Sequence, residues 1–445
     1  MFLMKQKHLI IFPVFVIATG IFFLGGCASG YRYSFNSETE TAIPYPDAYF
    51  AVISDIHIFD PSLGSAEAAF QKVLNLSGKM FLDSIPLMDY ALDHIISSGV
   101  SFVLICGDLT KDGELINHQI LAERLERLTD ANIAVYVTPG NHDISNFNAL
   151  KFSENKSERV PTVTADEFAQ IYGKFGFNSA VLRDPNSLSY LAEPSDGLWL
   201  LSLDSNRYRE NNRINKSVTP GKFRRSTIKW VNNILQKAQA SNKAVMVMMH
   251  HGVVDHYFKQ GVTRPAFLVR DYKNFARFLA LWNVRVVFTG HYHAQDISRA
   301  DYNGKYIYDI QTGSTVTPPC PIRYIELKNN VMHISSVSIL DGIYPGTDFA
   351  ENAYNFVRDS FIISVTKNLR RRSIPEDEIK IIAQARADAA MAHYYGDEDI
   401  SRRSLPDLSL FSSKGRSAFE QRQRRNDIYW TDLPPADNNL SLILD

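Results

Sequence analysis

The chain has 445 residues, enough for one large catalytic domain and an appendage. Its apolar fraction of 45% and aromatic fraction of 12% are ordinary for a folded globular protein. With 47 basic and 48 acidic side chains the formal net charge is −1, which removes any global reason to expect a nucleic-acid partner.

The first segment reads as a targeting signal and is set apart from the fold. Lys5 and Lys7 form a positive start, residues 9–24 are apolar, and Leu24-Gly25-Gly26-Cys27 closes the run. That tetrad resembles a bacterial lipobox, in which a peptidase cuts before a cysteine that carries a diacylglyceryl group. Residues 1–26 are then a signal peptide and Cys27 the lipidation site. A transmembrane anchor fits less well, because residues 9–24 as a helix reach only about 24 Å against a hydrocarbon core of roughly 30 Å. The expected mature protein is extracytoplasmic, membrane-anchored by its lipid, with residues 27–48 as a flexible tether.

Five short segments then end in metal-binding side chains: Asp55-Ile56-His57, Gly107-Asp108, Gly140-Asn141-His142-Asp143, His250-His251 and Gly290-His291-Tyr292-His293. Each follows an apolar run of strand length, at residues 50–53, 102–106, 133–137, 244–249 and 284–288. The runs do not alternate with polar residues, which suits strands buried on both faces. In an α/β sheet, ligands bind beyond the carboxyl ends of the strands, so five strands would bring these side chains to one rim.

Between the runs, residues 66–98 have helical spacing with a break expected at Pro86, and residues 114–128 and 226–240 are further helices. Thr164 and Glu167 have capping-box spacing. Residues 144–197 are long for a connection and are expected to overhang the site. The catalytic domain should run over residues 49–340. Residues 352–445 read as a helical extension opened by a second capping box at Ser373, with arginine clusters at 370–372, 402–403 and 422–425 and a partly disordered tail. Those arginines read as a solvated face, or as an attraction to an anionic membrane surface. Beyond Cys27 the cysteines are Cys106 and Cys320, too few for a disulfide scaffold or a zinc–thiolate site.

Asp55 and His57, like His291 and His293, are two residues apart and in extended backbone project to one side. Oxygen donors mixed with imidazole, without thiolate, suit Mn, Fe, Zn or Co. The ordered series D-x-H, G-D, G-N-H-D, H and G-H-x-H resembles the calcineurin-like metallophosphoesterase superfamily. The resemblance implies an α/β fold, a β-sandwich flanked by helices, holding two divalent ions. It places Asp55, His57 and His293 on the first ion and Asn141, His250 and His291 on the second, with Asp108 bridging. His250 stands where the family has its ligand, with glycine in place of the usual proline after His251, and His251 is the alternative ligand. His142 is the expected catalytic residue facing the substrate phosphate, with Asp143 either orienting it or holding its loop. His256 could line the pocket, Tyr292 sits inside the last motif, Arg207 and Tyr208 are candidate substrate contacts, and Asp204 reads as structural.

The function implied is a phosphohydrolase using a metal-activated hydroxide on a small phosphoester, by overall likeness a class III cyclic-nucleotide phosphodiesterase. The rivals are an extracytoplasmic phosphomonoesterase or nucleotidase, and a non-catalytic binding lipoprotein that reuses the fold.

Overall fold

The five apolar runs all fold as strands, and their carboxyl ends converge. The computed structural model describes residue 33 and residues 42–445, apart from residues 155 and 432 and the side chains of residues 422–426 and 428. The signal peptide and Cys27 therefore lie outside the described residues, as do the side chains of the 422–425 arginine cluster.

The strands of the first half are β1 (Ala48–Ile53), β2 (Phe102–Ile105), β3 (Ala134–Val137), β4 (Leu150–Ser153), β5 (Lys156–Arg159), β6 (Leu182–Arg183), β7 (Tyr190–Ser195) and β8 (Leu198–Leu203). Those of the second half are β9 (Ala244–Met249), β10 (Val286–Thr289), β11 (Asp296–Tyr302), β12 (Lys305–Gln311), β13 (Pro321–Lys328), β14 (Val331–Ser338) and β15 (Leu440–Ile443). One sheet has the order β15-β14-β13-β1-β2-β3 and the other β11-β12-β10-β9-β8-β7-β6. Strands β1, β2 and β3 run parallel, as do β8, β9, β10 and β12. Phe50 on β1 stacks on Phe102 of the same sheet at 4.6 Å and meets Phe288 of the other edge-on at 5.6 Å. The two sheets thus share one core between their inner faces, with helices outside.

The break expected at Pro86 falls earlier. Helices Ala68–Ser77 and Ser84–Ser98 are separated at Gly78, whose φ of 64° ends the first in the left-handed conformation. Pro86 sits in the first turn of the second helix, where its missing N–H has no intrahelical partner to lose. Thr164 forms the expected capping box with Glu167. The Ser373 box does not form: the helix Glu376–Tyr395 has no side-chain cap, and Glu376 pairs with Arg370 at 2.9 Å instead.

The 144–197 insertion does not overhang the site as one piece. Phe168, Tyr172, Phe175 and Phe177 join the main core, while the β4–β5 hairpin seats Phe152 against Phe70. Its start reaches the site, where Asn146 Nδ2 donates to Asp112 Oδ1 at 3.2 Å.

The extension forms helices Phe349–Arg370, Glu376–Tyr395 and Ser413–Ile428 around Leu369, Ile379, Ile382 and Phe419. Arg402 and Arg403 pair with Asp399 and Asp427. The end of the tail, expected to be partly disordered, packs on the domain: β15 pairs antiparallel with β14, and fully buried Arg323 donates to the carbonyls of Asp437 and Gln311. The tether is also bound at its end, where the Tyr45 hydroxyl donates to the Val245 carbonyl at 2.7 Å. Among the described residues no helix is long and apolar enough to cross a membrane.

Candidate metal centre

All five motifs emerge from carboxyl strand ends, and the loops are stitched to one another by backbone hydrogen bonds. Asp55 N donates to the Gly107 carbonyl, His57 N to that of Asp108, and Gly290 N to that of His250. Asp55, His57, Asp108, His291 and His293 all have positive φ, between 43° and 73°. Non-glycine residues hold that backbone only where the surroundings force it, and such strain concentrates at functional sites. The expected tight turn is real at Gly107, whose φ is 92°. Gly140 serves a different need: a Cβ there would stand 2.1 Å from Asp108 N, so only glycine lets the two loops touch.

Two buried ligand groups result. In one, donor atoms of Asp55, His57 and His293 all lie within 4.8 Å of one another; in the other, those of Asp108, His250 and His291 do. Asn141 adds its Oδ1, 3.2 Å from His250 Nε2. Asp108 Oδ2 is 3.6 Å from His57 Nε2 and 3.3 Å from His250 Nε2, so one carboxylate oxygen faces both groups. Asp55 Oδ1 is buried with no hydrogen-bond partner and lies 3.3 Å from His293 Nε2. An orphaned carboxylate oxygen among imidazole nitrogens is what a divalent cation would satisfy. Six of the seven expected ligands sit in these two groups and Asn141 touches the second.

The outer atoms aim the inner ones. Asp55 Oδ2 accepts from Ser54 Oγ at 2.6 Å and from His291 N at 2.8 Å. His57 and His250 turn Nδ1 to the carbonyls of Thr110 and Cys106, His293 Nδ1 lies by Thr317 Oγ1, and His291 turns Nε2 to the Ala266 carbonyl. Each imidazole therefore presents its other nitrogen inward, the arrangement metal-binding histidines use. Burial holds His57, His291 and His293 below the ordinary histidine range, keeping them neutral and able to donate a lone pair. Burial also works against charge on His250, but the Asp108 carboxylate outweighs it and lifts the imidazole to about 9. Burial would raise Asp108 itself, and His250 and His142 overcome it and hold the carboxyl well below the usual range.

His251, the alternative ligand, is committed elsewhere, with Nδ1 at 2.8 Å from Ser205 Oγ and Nε2 at 2.8 Å from the Thr219 carbonyl. Asp143 accepts from the backbone N–H groups of Leu109, Thr110 and Gly140, so it ties the β2 and β3 loops together. It does not orient His142. His256 is fully buried between Asp296 and Asp309. Asp204 caps its own loop, accepting from Leu188 N, Asn206 N and the Tyr208 hydroxyl, while Arg207 binds Glu210. Tyr208 and Arg207 are thereby occupied, and Tyr292 packs on Phe267 with ring centroids 4.5 Å apart.

A family profile described as calcineurin-like phosphoesterase matches residues 48–295, more than half of the chain. The chain belongs to the calcineurin-like phosphoesterase family. It is a metallophosphoesterase with both ligand groups of its dimetal centre intact.

Among solved structures, this metallophosphoesterase is similar to a dimetal phosphatase from Danio rerio, at 17% identity and a TM-score of 0.47, covering 66% of this chain and 96% of that one. It is also similar to a purple acid phosphatase from yellow lupin (Lupinus luteus) seeds, at 10% identity and a TM-score of 0.41, covering 68% of this chain and 53% of that one. No curated protein matches the chain.

Two residues of the metallophosphoesterase centre went unread in the sequence. Asp112 Oδ1 lies 2.9 Å from His142 Nδ1, where its position four residues after Asp108 was the available signal. Lys79 Nζ lies 2.9 Å from His57 Nε2, and a lone lysine in a loop between helices carries no signal at all.

Proposed function

We propose that this metallophosphoesterase hydrolyses phosphodiesters, nucleotide diesters first among them, outside the cytoplasm while lipid-anchored through Cys27. The observation that carries the hydrolytic reading is the shared Asp108 oxygen between two buried ligand groups. In this reading Asp55, His57 and His293 hold one divalent ion, Asn141, His250 and His291 hold the other, and Asp108 serves both. A pair of such ions supplies an acidified water and a polarised phosphoryl group.

The protein's own part is positioning and proton delivery. His142 Nδ1 donates to the Lys111 carbonyl at 2.8 Å and to Asp112 Oδ1, which fixes the ring. Its Nε2 stands 3.9 Å from Asp108 Oδ2, and its side chain is 26% exposed, so it faces both the centre and the opening. Burial disfavours a charged His142, and Asp108 and then Asp112 outweigh that and raise its pKa. A protonated imidazole there can hand its proton to a departing alkoxide oxygen. Phe267, whose ring lies 4.8 Å from that of His291, gives the centre an aromatic neighbour that suits a nucleoside group.

The test is hydrolysis of bis(p-nitrophenyl) phosphate by the purified protein with added Mn²⁺, beside p-nitrophenyl phosphate. A faster diester rate supports the reading, and a faster monoester rate replaces it with a phosphomonoesterase or nucleotidase. No turnover with any divalent ion, together with fewer than one bound ion per chain, leaves a binding protein.

A further inference from the structure

Two lysines stand near the centre, and among the described residues only one of them is ion-paired. Lys111 is buried against Asp112 and Glu114, which flank its ammonium. Lys79 makes no ion pair among the described residues; the partner of its Nζ is His57 Nε2, a ligand nitrogen, at 2.9 Å. The carboxylates that act on it most, Asp108 and Asp55, belong to the centre itself, and neither forms an ion pair with it.

Its placement is built rather than incidental. Lys79 follows Gly78, whose left-handed backbone ends the helix Ala68–Ser77. Lys79 N donates to Ser77 Oγ at 3.1 Å, and the next residue, Met80, donates its N–H to the Val316 carbonyl at 2.9 Å. The loop is backed by the extension, since a Cβ on Gly78 would meet Val357 and Ser360 of the helix Phe349–Arg370. Thr317 Oγ1 bonds the Gly78 carbonyl and also lies 3.2 Å from His293 Nδ1, so the lysine loop and a ligand share one hydroxyl.

We propose that Lys79 is the substrate-anion contact of this centre, giving its ammonium to a non-bridging phosphoryl oxygen. The proposal rests on the phosphoesterase reading above. Once His57 Nε2 acts as a ligand its lone pair is committed, and the ammonium is left without an acceptor beside a cationic centre. A phosphoryl oxygen at the mouth supplies both the acceptor and the negative charge.

The experiment compares full-length wild type with Lys79→Met, Lys79→Gln and Lys79→Arg. Bound metal is counted by mass spectrometry, melting temperature is measured, and inorganic phosphate binding to the Mn²⁺-loaded protein is titrated by calorimetry. The Met and Gln variants should keep two ions per chain and the wild-type melting temperature while phosphate affinity falls about tenfold. Arg should recover most of that loss. Unchanged phosphate affinity in the Met and Gln variants overturns the proposal, and so does loss of metal in those variants, which would make Lys79 a support for His57. A wild type that binds two ions but no phosphate also overturns it, whereas a wild type that binds neither overturns the phosphoesterase reading itself.

Discussion

His142 is held between two aspartates: Asp112 Oδ1 meets its Nδ1 at 2.9 Å while its Nε2 faces Asp108 Oδ2 at 3.9 Å. Asp112 thus sets the His142 ring, and it lies on the side away from the centre. His142→Ala should lower kcat by about 10²–10⁴, the usual worth of a positioned proton donor. Asp112→Asn should lower it less, because the Lys111 carbonyl still holds Nδ1. Both defects should shrink on bis(p-nitrophenyl) phosphate relative to an alkyl diester, whose leaving group needs the proton more. An equal defect on both substrates would remove proton donation from His142.

The adjacent histidines His250 and His251 should behave in opposite ways. His250→Ala removes a nitrogen 3.3 Å from Asp108 Oδ2 and should cost the protein one bound ion per chain. His251→Ala removes hydrogen bonds to Ser205 and the Thr219 carbonyl and should leave both ions in place. Metal analysis of the two purified variants decides the matter.

His256 predicts a pH dependence of stability. Burial would lower its pKa, but Asp296 at 2.5 Å and Asp309 at 3.3 Å overcome it and raise the imidazole to about 10. The folded value exceeds the unfolded one, so the stabilisation is complete below about pH 6.5 and fades as pH rises toward 10. Its full size is on the order of 5 kcal/mol. The wild type should therefore melt lower at pH 9 than at pH 6. His256→Gln should melt lower than wild type at pH 6 and lose less on going to pH 9; a steeper pH loss in the variant would refute the account.

The C-terminal strand should be needed for stability. Removing residues 433–445 strips β14 of its outer neighbour β15 and leaves Arg323, fully buried, without the Asp437 carbonyl. An unsatisfied buried charged group costs about 1–3 kcal/mol or more. A melting-temperature drop of at least several degrees should follow, and a truncated protein that melts like wild type would contradict it.

The parts legible in the sequence are those set by local pattern. Unbroken apolar runs such as residues 102–106 and 244–249 have no polar face, so they fold as strands buried on both sides. A metal ligand placed just past such a run can only emerge at the rim. The C-terminal strand resisted reading because Leu440–Ile443 is four residues long and alternates in exposure, and it takes shape only by pairing with β14. The Ser373 capping box has the right letters, yet Glu376 is drawn to Arg370 instead.

By itself the sequence determined which side chains reach the rim and in what order, because strand periodicity and the residues after each strand are local properties. Which of His250 and His251 points inward, that Asp112 rather than Asp143 steadies His142, and that Lys79 arrives from a distant loop were decided by tertiary structure alone. Those outcomes depend on which carbonyls, hydroxyls and carboxylates the packed loops bring within hydrogen-bond reach, and residues far apart in the chain supply them.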